Sequence, residues 1–146
     1  QELYLGGNRL QALPSAFGLL RNLRKLSLGH NALTRFPMVI TRLSNLEELL
    51  LPHNELRRIP EEIEQLTRLR RLNLQANKLS FLPSEIGELR SLESLSLDSN
   101  RLRNIPSQLR WLWEADGILI ANSSMKGGPS EDDNLFVYSN GDPTKT

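Results

Sequence analysis

The side chains able to do chemistry are few, and their spacing is regular. The chain holds two histidines, His30 and His53, which stand 23 positions apart. If each turn of a fold supplied one such position to a sheet, the two imidazoles would lie on neighbouring strands about 4.8 Å apart, the start of a metal site. A tetrahedral metal needs a third and a fourth ligand, and the same series offers only Gly7, Ala76 and Ser99. Cysteine is absent, which removes thiolate ligands, a thiol nucleophile and a disulfide scaffold together. The expectation is therefore two exposed polar histidines, no metal and no cofactor.

Other reactive groups fare no better. Ser27 and Ser96 share a face of the repeat described below, but a hydroxyl becomes a nucleophile only beside a base that a third group orients, and no histidine and acid stand so near either. Gly6-Gly7 and Gly127-Gly128 lack the strand, helix and lysine that would give them a phosphate to hold. Asn122-Ser123-Ser124 fits a glycosylation sequon, which carries little weight without a leader. No catalytic residue is assigned.

What must position these side chains is set by composition and period. Charge is nearly balanced, 18 basic against 17 acidic residues, so neither nucleic acid nor an anionic membrane is the expected partner. No apolar run approaches the ~20 residues of a membrane span. The absence of cysteine suits the cytosol, and a cytoplasmic location is expected. The first residue is Gln1 with no basic-then-apolar leader after it, which reads as a piece of a longer chain. Leucine is in marked excess, 31 residues against 7 isoleucines and 2 valines, the reverse of an ordinary β core.

The excess is periodic. Asn8, Asn31, Asn54, Asn77 and Asn100 step by 23, and so do Pro14, Pro37, Pro60, Pro83 and Pro106. Leucines keep the same step, as in Leu3, Leu26, Leu49, Leu72 and Leu95. The unit reads L-x-x-L-x-L-x-x-N-x-L, then an apolar residue and proline, then I-x-x-L, as in Leu46 to Leu56 followed by Ile59-Pro60-Glu61-Glu62-Ile63-Glu64-Gln65-Leu66. In L-x-L the leucines alternate, so a short strand turns one face inward. Stacked turns make a parallel sheet and bury a shared leucine column that one turn cannot bury alone. The asparagines sit where the chain leaves the strand, where a side-chain amide can satisfy buried backbone groups from turn to turn. Proline fixes φ and lacks a donor, which suits irregular or short helical segments on the opposite, convex side.

These motifs resemble the leucine-rich repeat family, and within it the intracellular 23-residue L-P-x-x-I type that includes Ras suppressor protein, the scribble-type scaffolds and the plant Ras-group-related repeats. The fold class expected is an α/β solenoid, a curved array with its parallel β-sheet on the concave face. It spans residues 1–122 as about five repeats, entered in mid-strand without a polar cap and closed by a degenerate turn with a strand over 115–120. Residues 123–146 are richer in Gly, Ser, Asp and Asn and read as a polar tail, disordered or loosely docked. Trp111 and Trp113 take positions held one repeat earlier by Glu88 and Arg90. The expectation is that Leu135, Phe136, Val137 and Tyr138 of the tail cover that end, the alternative being a partner-docking patch.

The concave columns carry the expected site. One runs Arg24, Glu47, Arg70, Glu93 and the next Glu2, Lys25, Glu48, Arg71, Ser94, alternating in sign as a lateral ion-pair ladder would. Beside them stand Tyr4, Ser27, Leu50, Asn73 and Ser96, then Gly6, Gly29, Pro52, Gln75 and Asp98. Mixed charge with a few apolar anchors suits a protein partner. The candidate partner-binding residues are Tyr4, Arg24, Lys25, Glu47, Glu48, Leu50, His53, Arg70, Arg71, Asn73 and Asp98. What the family resemblance implies is an adaptor or scaffold in signalling, acting around a small GTPase or a phosphatase. The alternative is the recognition domain of a larger enzyme, a kinase, GTPase or ubiquitin ligase, whose catalytic part lies outside this chain.

Overall fold

The computed structural model describes residues 1–114 and 118–120. Each unit folds as one turn of a curved solenoid and contributes one three-residue strand: β1 Glu2–Tyr4, β2 Lys25–Ser27, β3 Glu48–Leu50, β4 Arg71–Asn73, β5 Ser94–Ser96 and β6 Ile118–Ile120. They form one parallel sheet in chain order. The register from β1 to β5 advances by one repeat at every step, so Leu3, Leu26, Leu49, Leu72 and Leu95 lie side by side. That column is the inner face of the sheet, and from Leu26 to Leu95 it is buried.

The convex side is short 3-10 helix: Ser15–Leu19, Met38–Arg42, Glu61–Gln65, Ser84–Glu88 and Ser107–Leu109. The prolines set this geometry. Each stands at the helix entrance with an extended ψ, and its carbonyl accepts from the amide three residues on, as Pro37 from Ile40 at 3.0 Å and Pro60 from Ile63 at 3.1 Å. With three residues per turn, side chains three apart share one face. This is the spacing of I-x-x-L, and Ile40, Leu43, Ile63 and Leu66 are all fully buried.

Between strand and convex side runs the asparagine ladder. The Asn54 amide donates to Leu28 O of the preceding turn at 2.9 Å and to its own Leu51 O at 3.3 Å, while its Oδ1 accepts from Leu33 N at 3.2 Å. Asn31, Asn77 and Asn100 repeat the pattern. Asn8 does not: it is exposed and donates only within its own turn, to Leu5 O and Gly6 O.

The last turn departs from the expected spacing. Ser94 pairs with Ile118, one residue later than a constant step would give, so the expected strand over 115–120 is observed as Ile118–Ile120. The cause lies before it, where the 3-10 segment continues into an α-helix, α1, Arg110–Glu114. An α-helix rises about 1.5 Å per residue against about 2.0 Å for 3-10, so the same span uses more chain. The Trp111 indole is met by the turn before it, donating to Gly87 O at 2.8 Å with the Arg90 guanidinium 5.0 Å from the ring centroid. The tail 123–146, with Leu135 to Tyr138, lies outside the described residues, as does the Trp113 side chain.

Gly87 permits this closure. A Cβ there would lie 2.5 Å from Gln108 Cβ and 2.6 Å from the Gln108 carbonyl oxygen. Gly87→Ala should therefore force the last two convex segments apart, losing about 1–3 kcal/mol in chemical denaturation. The ladder gives a paired test. Asn77→Ala leaves buried backbone groups of two turns unpaired and should lose about 1–3 kcal/mol, whereas Asn8→Ala, at an exposed site, should cost a few tenths, roughly. Equal losses from the two would show that the ladder does not hold the turns together.

Candidate interaction surface

The strands are so short that the outward-facing residues are their first and third, flanking the buried leucine. This puts Glu2, Lys25, Glu48, Arg71 and Ser94 in one register column and Tyr4, Ser27, Leu50, Asn73 and Ser96 in the next. Arg24, Glu47, Arg70 and Glu93 precede the strands and form a third column. It is held in register by backbone bonds such as Glu47 N to Arg24 O at 2.8 Å and Arg70 N to Glu47 O at 2.7 Å. These three columns hold nine of the eleven expected residues, and Asp98, two residues past β5, stands beside Gln75 of the turn before.

The charges form discrete sets rather than a continuous ladder. In the middle column Glu48 is clasped from both sides, by Lys25 Nζ at 3.3 Å and by Arg71 Nη1. In the column before the strands Arg70 pairs with Glu93 at 2.8 Å and Arg24 reaches Glu47 at 3.9 Å, the latter at the limit of an ion pair. The Tyr4 hydroxyl donates to Glu2, and Lys25 Nζ lies 5.4 Å from the Tyr4 ring centroid. At the other end Gln75 donates to Asp98 at 3.0 Å, and Asn73 Oδ1 accepts from the Gln75 amide at 3.0 Å. Tyr4 is well exposed, and Leu50, between Ser27 and Asn73, is half-buried.

Among the described residues, two groups carry shifted ionisation. The Tyr4 hydroxyl and the Glu48 carboxylate hold the Lys25 ammonium above the usual lysine range, and Glu93 favours the charged form of the Arg70 guanidinium. Both cations stay charged throughout the physiological range, so the surface presents a fixed pattern. A raised lysine pKa stabilises the fold below the unfolded value and ceases to do so only as pH climbs through the folded value.

His53 is the exception. His30 and His53 do not lie on strands but in the turn that follows, where each takes a left-handed backbone with φ 54°, as do Ala76 (53°), Ser99 (57°) and Gly7 (73°). The two rings stack with centroids 4.3 Å apart and planes at 13°. The residues expected to share a strand column instead share a corner that redirects the chain toward the ladder, so His53 belongs to the rim of the sheet. Gly7 at this position was the one signal in the sequence that the column needs positive φ. Among the described residues no three histidine or acidic side chains converge as a metal set.

The geometry can be compared with known proteins. A family model described as leucine rich repeat matches residues 1–56 and again 44–102. No match is found among curated proteins. Among solved structures, a protein of Leptospira interrogans is 36% identical, with a TM-score of 0.77 over 84% of this chain and 30% of that one. The BIR3–SERK2 complex from Arabidopsis thaliana is 34% identical, with a TM-score of 0.66 over 82% of this chain and 66% of that one. The ectodomain of the receptor kinase SOBIR1, also from Arabidopsis thaliana, is 31% identical, with a TM-score of 0.69 over 84% of this chain and 67% of that one. The chain therefore spans less than a third of the bacterial protein and about two thirds of each plant chain.

The charge network makes its own prediction. Glu48→Gln removes the carboxylate shared by Lys25 and Arg71, so the Lys25 ammonium should titrate at lower pH than in the wild type. The melting temperature at neutral pH should change little, because the network lies at the surface, with Arg71 exposed and Lys25 and Glu48 half-buried. Side-chain nitrogen NMR over an alkaline titration reads the first effect, and a Lys25 midpoint that does not move would show that Glu48 has no hold on it.

Proposed function

Because the chain belongs to the leucine-rich repeat family, we propose that it is a protein-interaction module, an intracellular adaptor or scaffold that binds a protein partner on its concave sheet. The observation that carries this reading is the fixed array of outward side chains on the strands. Lys25, Glu48 and Arg71 are tied to one another and spaced by the sheet, so little side-chain freedom is left to lose on binding. Tyr4 and Leu50 supply apolar contact area within that charged frame, and Arg70 and Arg71 a pair of guanidinium groups at its centre. In this reading the chain acts in the cytoplasm around a signalling protein such as a small GTPase or a phosphatase, performs no chemistry itself, and touches neither nucleic acid nor lipid.

A second reading is favoured by one finding. The likeness to the ectodomain of a receptor kinase, together with the partial spans of the matched chains, suits the recognition domain of a larger enzyme. Both readings use the same face and differ in what adjoins it.

The face is tested directly. With a partner isolated by affinity capture and its binding measured by calorimetry, Leu50→Asp and Arg71→Glu should each weaken the complex on the order of tenfold or more. On the convex side, Glu62→Lys and Arg68→Glu should leave it within about twofold. Circular dichroism must first show each variant folded, since Arg71→Glu sets a carboxylate beside Glu48. Loss of binding in the convex variants with the concave ones unaffected would overturn the assignment.

A further inference from the structure

Between the asparagine ladder and the convex prolines, each turn adds a six-residue segment to one flank of the solenoid: 8–13, 31–36, 54–59, 77–82 and 100–105. The segments stack in register, because the amides of Ala32, Glu55, Lys78 and Arg101 donate to Leu10, Leu33, Leu56 and Leu79 of the preceding turns at 2.8–2.9 Å. Charge is concentrated here. The five segments hold seven cations and one carboxylate, Glu55, and that carboxylate is already met by Lys78 at 3.4 Å. Residues 1–114 hold sixteen cations and twelve carboxylates in all, so the flank carries +6 (7 − 1) and the rest −2 (+4 − 6).

A groove crosses the central turns of this flank. Its floor is apolar, with Phe36 and Ile59 buried beneath and Met38 and Phe81 exposed at 47% and 41%. Arg35, Arg57 and Arg58 line it on the ladder side. Glu61 and Glu85, in the 3-10 helices, form the opposite lip. The Arg58 guanidinium lies 5.2 Å from the Phe81 ring centroid, and among the described residues no carboxylate lies within ion-pair distance of the three arginines. Cations so gathered repel one another and leave their hydrogen-bond donors to water, which an anionic occupant would reverse. A continuous polyanion fits poorly, since its charges would meet Glu61 and Glu85 across the groove. Alternation of apolar floor and one cationic wall instead matches a short polypeptide.

We propose that this flank groove is a second interaction surface, one that docks an acidic peptide segment bearing a bulky apolar residue. The apolar side chain sits between Met38 and Phe81, and the carboxylates face Arg35, Arg57 and Arg58. The site is separate from the concave sheet, so its success or failure is independent of the reading above.

The test uses the full chain and a fluorescein-labelled octapeptide of aspartates and glutamates around a central phenylalanine, with fluorescence anisotropy as readout. Binding should weaken on the order of tenfold when the phenylalanine is replaced by serine, and similarly for the double variant Arg57→Glu, Arg58→Glu and for Phe81→Ser. Arg21→Gln, at an exposed residue outside both surfaces, should leave it unchanged. Arg57→Gln with Arg58→Gln, which adds no new charge, should give a smaller loss in the same direction. Peptide binding indifferent to Arg57, Arg58 and Phe81 would overturn the proposal. So would binding only of single-stranded oligothymidylate or of phosphatidylserine vesicles, and so would self-association of the chain abolished by the arginine variants without any peptide binding.

Discussion

The structure depends on one recurring bond set, the amide of a buried asparagine that is shared between two turns. A strand of three residues has too few ladder bonds to persist alone, and the chain must leave it by a corner that turns backbone carbonyls inward. Asn54, Asn77 and Asn100 answer both demands, accepting from one turn's amide while donating to carbonyls of that turn and their own. Burial makes the bond valuable, because water cannot replace it. Once the ladder fixes the distance between turns, the leucine columns have only one way to stack, and the concave and flank surfaces inherit that spacing.

The two surfaces spend their charge differently. On the sheet, cations and carboxylates face one another and much of the field is satisfied internally, so shape and the half-buried Leu50 set what the face can accept. On the flank, among the described residues, Lys78 alone meets a carboxylate, and the field extends outward. The same number of repeats thus builds a neutralised face and a charged one, distinguished only by which side of the asparagine their residues fall.

Much of this was legible in the sequence, because a constant period leaves little freedom. The leucine series gave the sheet and its inner column, and the I-x-x-L spacing after each proline was already the period of a 3-10 helix. The concave residues from Tyr4 to Asp98 followed from strand alternation. What escaped were features that depend on backbone conformation and not on spacing. His30 and His53 read as a strand column because their shared repeat position was taken to lie on the strands, whereas it lies past them, at the corner where φ becomes positive. The one-residue slip at β6 was hidden because nothing in Ser107 to Glu114 signals that a 3-10 turn will relax into α-helix. The basic flank was missed for another reason: its arginines do not recur at one position but shift between positions within the segment, so a column-by-column reading does not add them up.

The joints between turns have one further consequence, for elasticity. A solenoid whose turns touch only their neighbours carries tension along its axis in series, so the whole extends as its softest joint extends. The joints are not equal. From β2 to β5 each is backed by fully buried leucines and a buried asparagine, whereas between β1 and β2 the leucines Leu3, Leu5 and Leu10 are only partly covered and Asn31 is half-exposed. Under load the central turns would keep their spacing, so that both surfaces built on those turns would keep their shape in a protein being pulled.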